Sequence, residues 1–160
     1  MEPNRSITIR DFAPGDEAAF RRLNEVWITH HFTLEPKDEH SLAHPKETIL
    51  DPGGRIFLAS LSTGEVIGCC ALMARGPAEY EVAKMAVAES CQGVGVGRRL
   101  LNHTIADAAS GGAKRLYLET NRKLGPAIHL YEAVGFTHLP PEKVEPSPYA
   151  RANVYMERLL

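Results

Sequence analysis

Three glycines at alternate positions, Gly93, Gly95 and Gly97, lie between an apolar run and a segment with helical periodicity. Glycine has no Cβ to hold a ligand away from the backbone, and the first amides of a helix have no partner inside the helix. A loop of this kind at a helix N-terminus therefore predicts a site for a phosphate-bearing ligand. Arg98 or Arg99, which follow at once, would add positive charge.

Other phosphate-binding loops fit this stretch less well. A P-loop requires Lys followed by Ser or Thr after its last glycine, whereas this chain has two arginines. A dinucleotide-binding loop requires a third glycine where Arg98 stands, although Glu119 lies near the position of its acidic residue. The strand before the loop also carries Glu79, Glu81 and Lys84, which are too polar for the centre of a parallel sheet. Dinucleotide binding and a purely structural turn stay as the less favoured alternatives.

The apolar periodicity predicts the elements that position this loop. Alternating or continuous apolar runs indicate strands over residues 6–12, 56–59, 66–72, 80–87, 115–119, 136–139 and 153–159. Helical spacing indicates helices over about 16–30 and 42–50, from about 95 to the glycines at 111–112, and from Pro126 to Gly135. The sequence has no repeats, low-complexity tracts or linkers, so residues 1–160 are expected to form a single domain.

Two segments of the chain resemble one enzyme family. Residues 81–87, EVAKMAV, followed by QGVGVG at 92–97, resemble the acetyl-CoA-binding core of the GNAT superfamily of N-acetyltransferases. Residues 127–136, AIHLYEAVGF, are similar to that family's Leu-Tyr-x-x-x-Gly-Phe segment, and the two motifs stand in the family's order over about residues 79–137. The resemblance implies a mixed α/β GNAT fold with a central, mostly antiparallel sheet of about seven strands. Its parallel pair, residues 80–87 and 115–119, would splay apart, and helices would cover both faces.

The resemblance also implies an acyltransferase. Such an enzyme moves the acetyl group of acetyl-CoA to an amine of a small molecule, amino acid or peptide, by direct attack on the thioester. The family pattern places the acetyl and pantetheine groups along the strand and the pyrophosphate on the loop amides, with an amide of Met85 or Val87 donating to the thioester oxygen. The implied cofactor-binding residues are Met85, Ala86, Val87, Gln92, Gly93, Val94, Gly95, Val96, Gly97, Arg98, Asn121 and Tyr131.

Two side chains are the implied catalytic residues. Tyr131 falls on the family's tyrosine near the CoA sulfur, where it would act as general acid. Glu81 occupies a strand position where several members carry the general base that takes a proton from the acceptor ammonium. Glu79 has the same strand parity, and a water chain is a third candidate base. The alternatives are a core aromatic for Tyr131 and solvated strand carboxylates for the glutamates.

One position departs from the family pattern. Leu124 stands where many members have an asparagine, three residues before the alanine that opens the last helix. Asn121, three residues earlier still, is a candidate contact to the pantetheine or the substrate. The alternative for Asn121 is a turn or capping role.

The resemblance places the acceptor site on the first helices and on the loop that joins the last two strands. The candidate residues there are Trp27, Phe32, Glu35, Tyr149 and Arg151. A partly apolar site with one carboxylate suits a cationic amine, and Arg151 could pair with a carboxylate of the acceptor. Packing or a solvated loop is the alternative for each of these residues.

A metal site is not expected, although histidines are concentrated in one region. His40 and His44 have a spacing that binds zinc on a helix, but Pro45 argues against a clean helix across both. Histidines exposed on a helix and loop surface explain this cluster, which also includes His30 and His31.

Composition limits the classes of partner and compartment. The formal net charge of −2 provides no basic face for nucleic acid, and no apolar stretch is long enough to span a membrane. Three cysteines, two of them adjacent, do not form a disulfide framework and favour a reducing cytoplasm. A homodimer is an open alternative. A catalytically silent CoA-binding regulatory module is the second function class, since it would keep the glycine loop without needing Glu81 or Tyr131.

Overall fold

The sheet is mixed, with one parallel pair of strands. The computed structural model describes residues 6–144 and 146–160, so the first five residues of the expected domain lie outside the described part. Within these ranges seven strands pair in the order β1-β2-β3-β4-β5-β7-β6, and only β4 and β5 are parallel. The prediction of a mostly antiparallel sheet with one parallel pair is confirmed. The strands are β1 (Ile7–Asp11), β2 (Arg55–Leu61), β3 (Val66–Gly76), β4 (Glu79–Val87), β5 (Arg115–Thr120), β6 (Thr137–His138) and β7 (Val154–Leu159).

Helices cover both faces of this sheet because its central strands are apolar on both sides. The helices are α1 (Glu17–His31), α2 (Pro36–Ala43), α3 (Val96–Ser110) and α4 (Gly125–Ala133). Alternate residues of β2 divide between two cores, as the two-residue period of a strand requires. Phe57 packs with α3, whereas Ile56 and Leu58 pack with α1 and α2.

The predicted helix over residues 42–50 is wrong in its position. Residues Pro36–Ala43 form α2, and Lys46–Leu50 form a separate π-helical turn. The helix ends at His44, whose φ of −132° and ψ of 58° are not helical. Pro45 is the physical reason, because a proline ring disfavours the helical conformation of the residue before it. The start of α2 is set by a capping box between Glu35 and Asp38.

The parallel pair separates partway along its length, which confirms the predicted splay. Pairing between β4 and β5 runs only from Glu79–Arg115 to Glu81–Tyr117, and both strands continue beyond it. A bulge in β4 lies just after this point, since Ala71 pairs with Ala83 but Cys69 pairs with Ala86. The bulge residue Lys84 has a φ of +53°, an uncommon left-handed conformation for a side chain of this size. The gap between the strands opens a cavity at the centre of the sheet.

Candidate active site

The cavity lies where β4 leaves β5 and is closed by α1, by α4 and by the loop before β7. Eight of the residues predicted from the sequence line it together. Four come from the predicted catalytic and cofactor set and four from the predicted acceptor set: Glu81, Met85, Asn121, Tyr131, Trp27, Phe32, Tyr149 and Arg151. These residues are distant in sequence, so the splayed sheet brings them to one place.

Glu81 is the titratable group of this cavity with the ionisation best suited to a base. Its side chain is 22% exposed, and its Oε1 lies 3.4 Å from Nη1 of Arg75. Burial raises the pKa of Glu81 to about 7, and the charge of Glu119 adds to this effect more than Arg75 opposes it. A carboxyl with a pKa near neutrality can accept a proton at physiological pH. Glu79, in contrast, is 44% exposed, lies 3.5 Å from Arg115, and is not part of the cavity wall.

Tyr131 reaches the same cavity from α4. Its ring packs against the core beneath α3 and lies edge-on to Phe136, with 6.2 Å between the ring centroids. Burial raises the pKa of its hydroxyl, so the hydroxyl keeps its proton at neutral pH. Tyr131 therefore combines the predicted core packing with a proton donor on the cavity wall.

The glycine loop leaves β4 and enters α3 with an open surface above it. Gly93 and Gly95 have φ values of +80° and +87°, and a Cβ built on either would meet no atom within 4 Å. Gly95 caps α3, whose first hydrogen bond is donated by the amide of Arg99 to its carbonyl at 3.0 Å. The amides of the first turn precede that bond and lack partners within the helix. This arrangement fits a phosphate group bound to backbone amides.

The other loop residues divide between support and exposure. Gln92 donates from Nε2 to the carbonyl of Val87 at 3.1 Å, which ties the loop to the end of β4. Val96 is buried, whereas Val94 and Arg98 are exposed. Arg99 is also exposed but donates to the carbonyl of Ile7 at 2.8 Å, so Arg98 is the better placed of the two arginines to meet a ligand.

The three predicted pantetheine-binding residues of β4 differ in their surroundings. Met85, next to the bulge residue, lines the cavity. Ala86 is buried with 2% of its surface exposed, and Val87 lies further along the strand towards the glycine loop. Of the two residues whose amides were considered for the thioester oxygen, Met85 is therefore the one that lines the cavity.

Asn121 has the turn-stabilising contacts that were its alternative. Its Nδ2 donates to the carbonyl of Arg151 at 2.6 Å, and its Oδ1 accepts from the amide of Lys123 at 2.9 Å. The side chain thus joins the end of β5 to the loop before β7 while lining the cavity.

The acceptor side of the cavity combines an aromatic wall with a buried ionic cluster. Trp27 and Phe32 contribute the aromatic wall. Arg151 is bound to Asp38 by two hydrogen bonds of 2.7 Å and lies 3.2 Å from Glu35, so its charge is already neutralised inside the protein. Tyr149 accepts a hydrogen bond from Lys84 at 3.2 Å.

Three residues of this region were not among the sequence predictions for the site. Asp38 has a fully buried side chain, and Lys84 has one that is 5% exposed. Glu119 lines the cavity and accepts hydrogen bonds from Tyr117 at 3.0 Å and from Ser147 at 2.7 Å. The E-P-x-D capping box was a usable signal for Asp38, since it marks the start of a helix. Neither strand residue has a local signal that distinguishes it from a solvated charge.

The histidine and cysteine side chains do not form a metal centre in the described ranges. No group of three or more His, Cys, Asp or Glu side chains is arranged to hold an ion among these residues. All three cysteines are free and buried, and burial raises the pKa of Cys69 to about 12. The described helices also include none that is long and apolar enough to cross a membrane.

Comparison with known proteins identifies the family. Residues 18–136 match the model of the acetyltransferase (GNAT) family. The IAA acetyltransferase of Azospirillum brasilense is 34% identical over 132 residues, covering 82% of this chain and 84% of that protein. A mycothiol acetyltransferase of Thermomonospora curvata is 32% identical over 148 residues, covering 89% of this chain but 48% of that protein. The chain therefore spans about half the length of the latter relative.

Solved structures agree with this assignment at the level of the fold. A GNAT-family acetyltransferase from Staphylococcus aureus superposes with a TM-score of 0.87 at 18% identity, covering 96% of this chain and 99% of that one. An N-acetylglutamate synthase from Neisseria gonorrhoeae, determined with coenzyme A and N-acetyl-glutamate, superposes with a TM-score of 0.75 at 22% identity, covering 97% and 35%. The resemblance seen in the sequence is confirmed: the chain belongs to the GNAT family of acetyltransferases, enzymes that use acetyl-CoA.

Proposed function

We propose that this protein transfers the acetyl group of acetyl-CoA to an amine of a small molecule, amino acid or peptide. The observation that carries the proposal is the meeting of Glu81 and Tyr131 in one cavity, at the point where β4 separates from β5. A nearly neutral carboxyl and a protonated phenol are the base and the acid that this transfer requires. A CoA-binding module without activity would need neither group.

The glycine loop supports acetyl-CoA as the donor. Its open surface at Gly93 and Gly95 is a cradle that any Cβ would fill, and the amides of the first turn of α3 lie beneath it. Arg98 would add charge to the pyrophosphate site. Acetyl-CoA supplies an activated thioester, and the chain must hold its carbonyl against a donor. The amide of Met85 is proposed for this role.

Each catalytic side chain then has one task. Glu81 accepts the proton that the acceptor ammonium must lose before its nitrogen can attack. Tyr131 donates its hydroxyl proton to the sulfur of the leaving thiolate. Trp27, Phe32 and Tyr149 surround the acceptor and exclude water.

The charges of the cavity favour an acceptor recognised through its ammonium group. Glu81 and Glu119 both line the cavity and attract a cation, whereas two of its three cationic side chains, Lys84 and Arg151, are bound to Asp38 and the third is Lys37. Arg151, which the sequence offered as a partner for an acceptor carboxylate, is instead occupied by Asp38. One matched relative is named an N-alpha-acetyltransferase, and that name is consistent with an amine acceptor.

The remaining properties are also proposals. Residues 1–160 are proposed to act as one domain, because the described strands form one continuous seven-stranded sheet. The three free thiols fit a reducing compartment such as the cytoplasm. A homodimer stays a prediction.

Calorimetric titration with acetyl-CoA, and in parallel with NAD, tests the donor. We expect binding of acetyl-CoA and none of NAD. Release of CoA thiol is then followed with a panel of amines, an assay helped by the burial of all three protein thiols. Binding of NAD alone would overturn the proposal, and tight binding of acetyl-CoA with no turnover of any amine would favour the silent module.

A further inference from the structure

One buried carboxylate connects two separate parts of the cavity wall, Lys84 on β4 and Arg151 in the loop before β7. Asp38, near the start of α2, accepts hydrogen bonds from Lys84 at 2.7 Å and from Arg151 at 2.7 Å through each of its oxygens. It also accepts from the amide of Glu35 at 3.0 Å. Burial alone would raise the pKa of Asp38, but these hydrogen bonds and the charge of Lys84 lower it to about 2. Asp38 is therefore ionised and fully coordinated inside the protein.

The strand partner of this carboxylate is the bulge residue of β4. Lys84 holds its left-handed φ of +53° where the strand has left β5 and no longer has that neighbour to align it. Its carbonyl accepts a hydrogen bond from the Cys69 thiol at 3.3 Å, and Asn24 of α1 donates to that sulfur at 3.3 Å. A strained bulge of this kind persists only where its surroundings over-determine it. The bond from Lys84 to Asp38 is part of that constraint.

The loop partner of this carboxylate is Arg151, in the segment before β7. Arg151 also receives a hydrogen bond at its carbonyl from Asn121, at the end of β5, at 2.6 Å. Tyr149 lies beneath both cations, with Lys84 4.9 Å and Arg151 4.5 Å from its ring centroid. The four charges of Glu35, Asp38, Lys84 and Arg151 sum to zero, so the cluster needs no external ion.

We propose that Asp38 is a positioning residue that aligns the thioester side of the cavity with the acceptor side by binding Lys84 and Arg151 at once. This inference rests on the proposed function, because it assigns the Met85 amide, next to Lys84, to the thioester oxygen. Asp38 touches no reacting atom. It acts by fixing the direction of the bulge through Lys84 and the position of Tyr149 through Arg151.

The test is a double-mutant cycle with Asp38→Asn and Lys84→Met. Each single variant is expected to lower kcat about 100-fold, the cost of a displacement of about 1 Å at a reacting centre, with little change in KM for acetyl-CoA. Because the two substitutions share the bond between Asp38 and Lys84, the double variant should lose clearly less than the product of the two effects. Lys84→Arg, which keeps a cation for Asp38, should recover most of the activity. Asp51→Asn is the matched control, since Asp51 pairs with Lys46 at 2.9 Å on an exposed surface.

A second readout does not depend on turnover. Trp27 is the single tryptophan of the chain and lines the acceptor side of the cavity, so acrylamide quenching of its fluorescence reports how closed that side is. We expect greater quenching in Lys84→Met than in the wild type or in Asp51→Asn. This comparison also serves if Asp38→Asn fails to fold, because Lys84→Met leaves Asp38 paired with Arg151.

The outcomes separate this inference from the proposed function. Multiplicative losses of kcat in the double variant, or equal quenching in all variants, would overturn the positioning role while leaving the acetyltransferase intact. If the wild type binds acetyl-CoA but acetylates no amine, the proposed function fails. The quenching comparison then decides by itself whether Asp38 holds the two walls together.

Discussion

The substitution Glu81→Gln tests the proposed base, and the usual cost of losing a general base sets the size of the expected effect. Glutamine has nearly the same shape but cannot accept the ammonium proton. Removal of a general base costs about 10²- to 10⁴-fold in rate, or about 3 to 5 kcal/mol of transition-state stabilisation. We therefore expect kcat to fall by at least about 100-fold at pH 8.

The pH dependence of the wild-type rate gives a second, independent test of Glu81 as the base. With the pKa of Glu81 raised to about 7 by burial and by Glu119, only about a tenth of Glu81 is ionised at pH 6. The rate at pH 6 should be about tenfold below its plateau. This fall in rate towards low pH is the acid limb of the pH–rate profile. An alkylamine acceptor has a pKa of about 10, so most of its titration takes place at a pH well above this limb. In Glu119→Gln the lost negative charge should move the limb to lower pH.

The assay is release of CoA thiol with saturating acetyl-CoA over pH 5.5–9, for the wild type and each variant. Glu79→Gln is the control, because Glu79 lies on the same strand but is 44% exposed and outside the cavity. Its profile should match that of the wild type. A Glu81→Gln variant that kept the acid limb and most of its rate would refute the assignment and point to a water chain or to Glu119.

Three further predictions concern stability, the acid and the loop. The pKa of Glu81 in the folded protein, about 7, exceeds its ordinary value of 4.5, so the native state binds this proton more tightly than the unfolded state. The free energy of unfolding therefore falls by about 3 kcal/mol as the pH rises between these two values. Urea unfolding at pH 8 should therefore show Glu81→Gln to be more stable than the wild type, with the difference vanishing near pH 4. In steady-state kinetics, Tyr131→Phe should lower kcat about 100-fold and leave KM for acetyl-CoA unchanged. Tyr80→Phe is the control and should keep kcat, because Tyr80 lies outside the cavity. If the two variants behaved alike, Tyr131 would not be the general acid. Gly95→Ala, forced to a φ of +87°, should lose about 1–2 kcal/mol of folding stability and weaken acetyl-CoA binding by calorimetry. Gly64→Ala, equally strained at a φ of +91° but in the turn between β2 and β3, should lose similar stability and leave acetyl-CoA binding unchanged.

The sequence by itself determined the local features of this protein. In the described part of the chain, the two-residue and helical periods predicted all seven strands and three of the four α-helices, because each period reflects which side of a single element is buried. The glycine spacing predicted an open loop at the start of α3, since glycine has no Cβ and readily adopts the left-handed backbone found at Gly93 and Gly95. Glu81 and Tyr131 followed from motifs that lie within single elements.

Only the tertiary structure decided what surrounds these groups. The nearly neutral pKa of Glu81 depends on burial in the cavity and on Glu119 of the neighbouring strand, neither of which has a signature in the residues around Glu81. The bonds of Asp38 reach across 46 residues to Lys84 and 113 residues to Arg151. From its sequence position, Arg151 is a candidate cation for a substrate carboxylate, whereas in the structure it is bound to Asp38. Such contacts depend on how the sheet splays and on which distant segments meet. The spacing of residues along the chain therefore does not predict them.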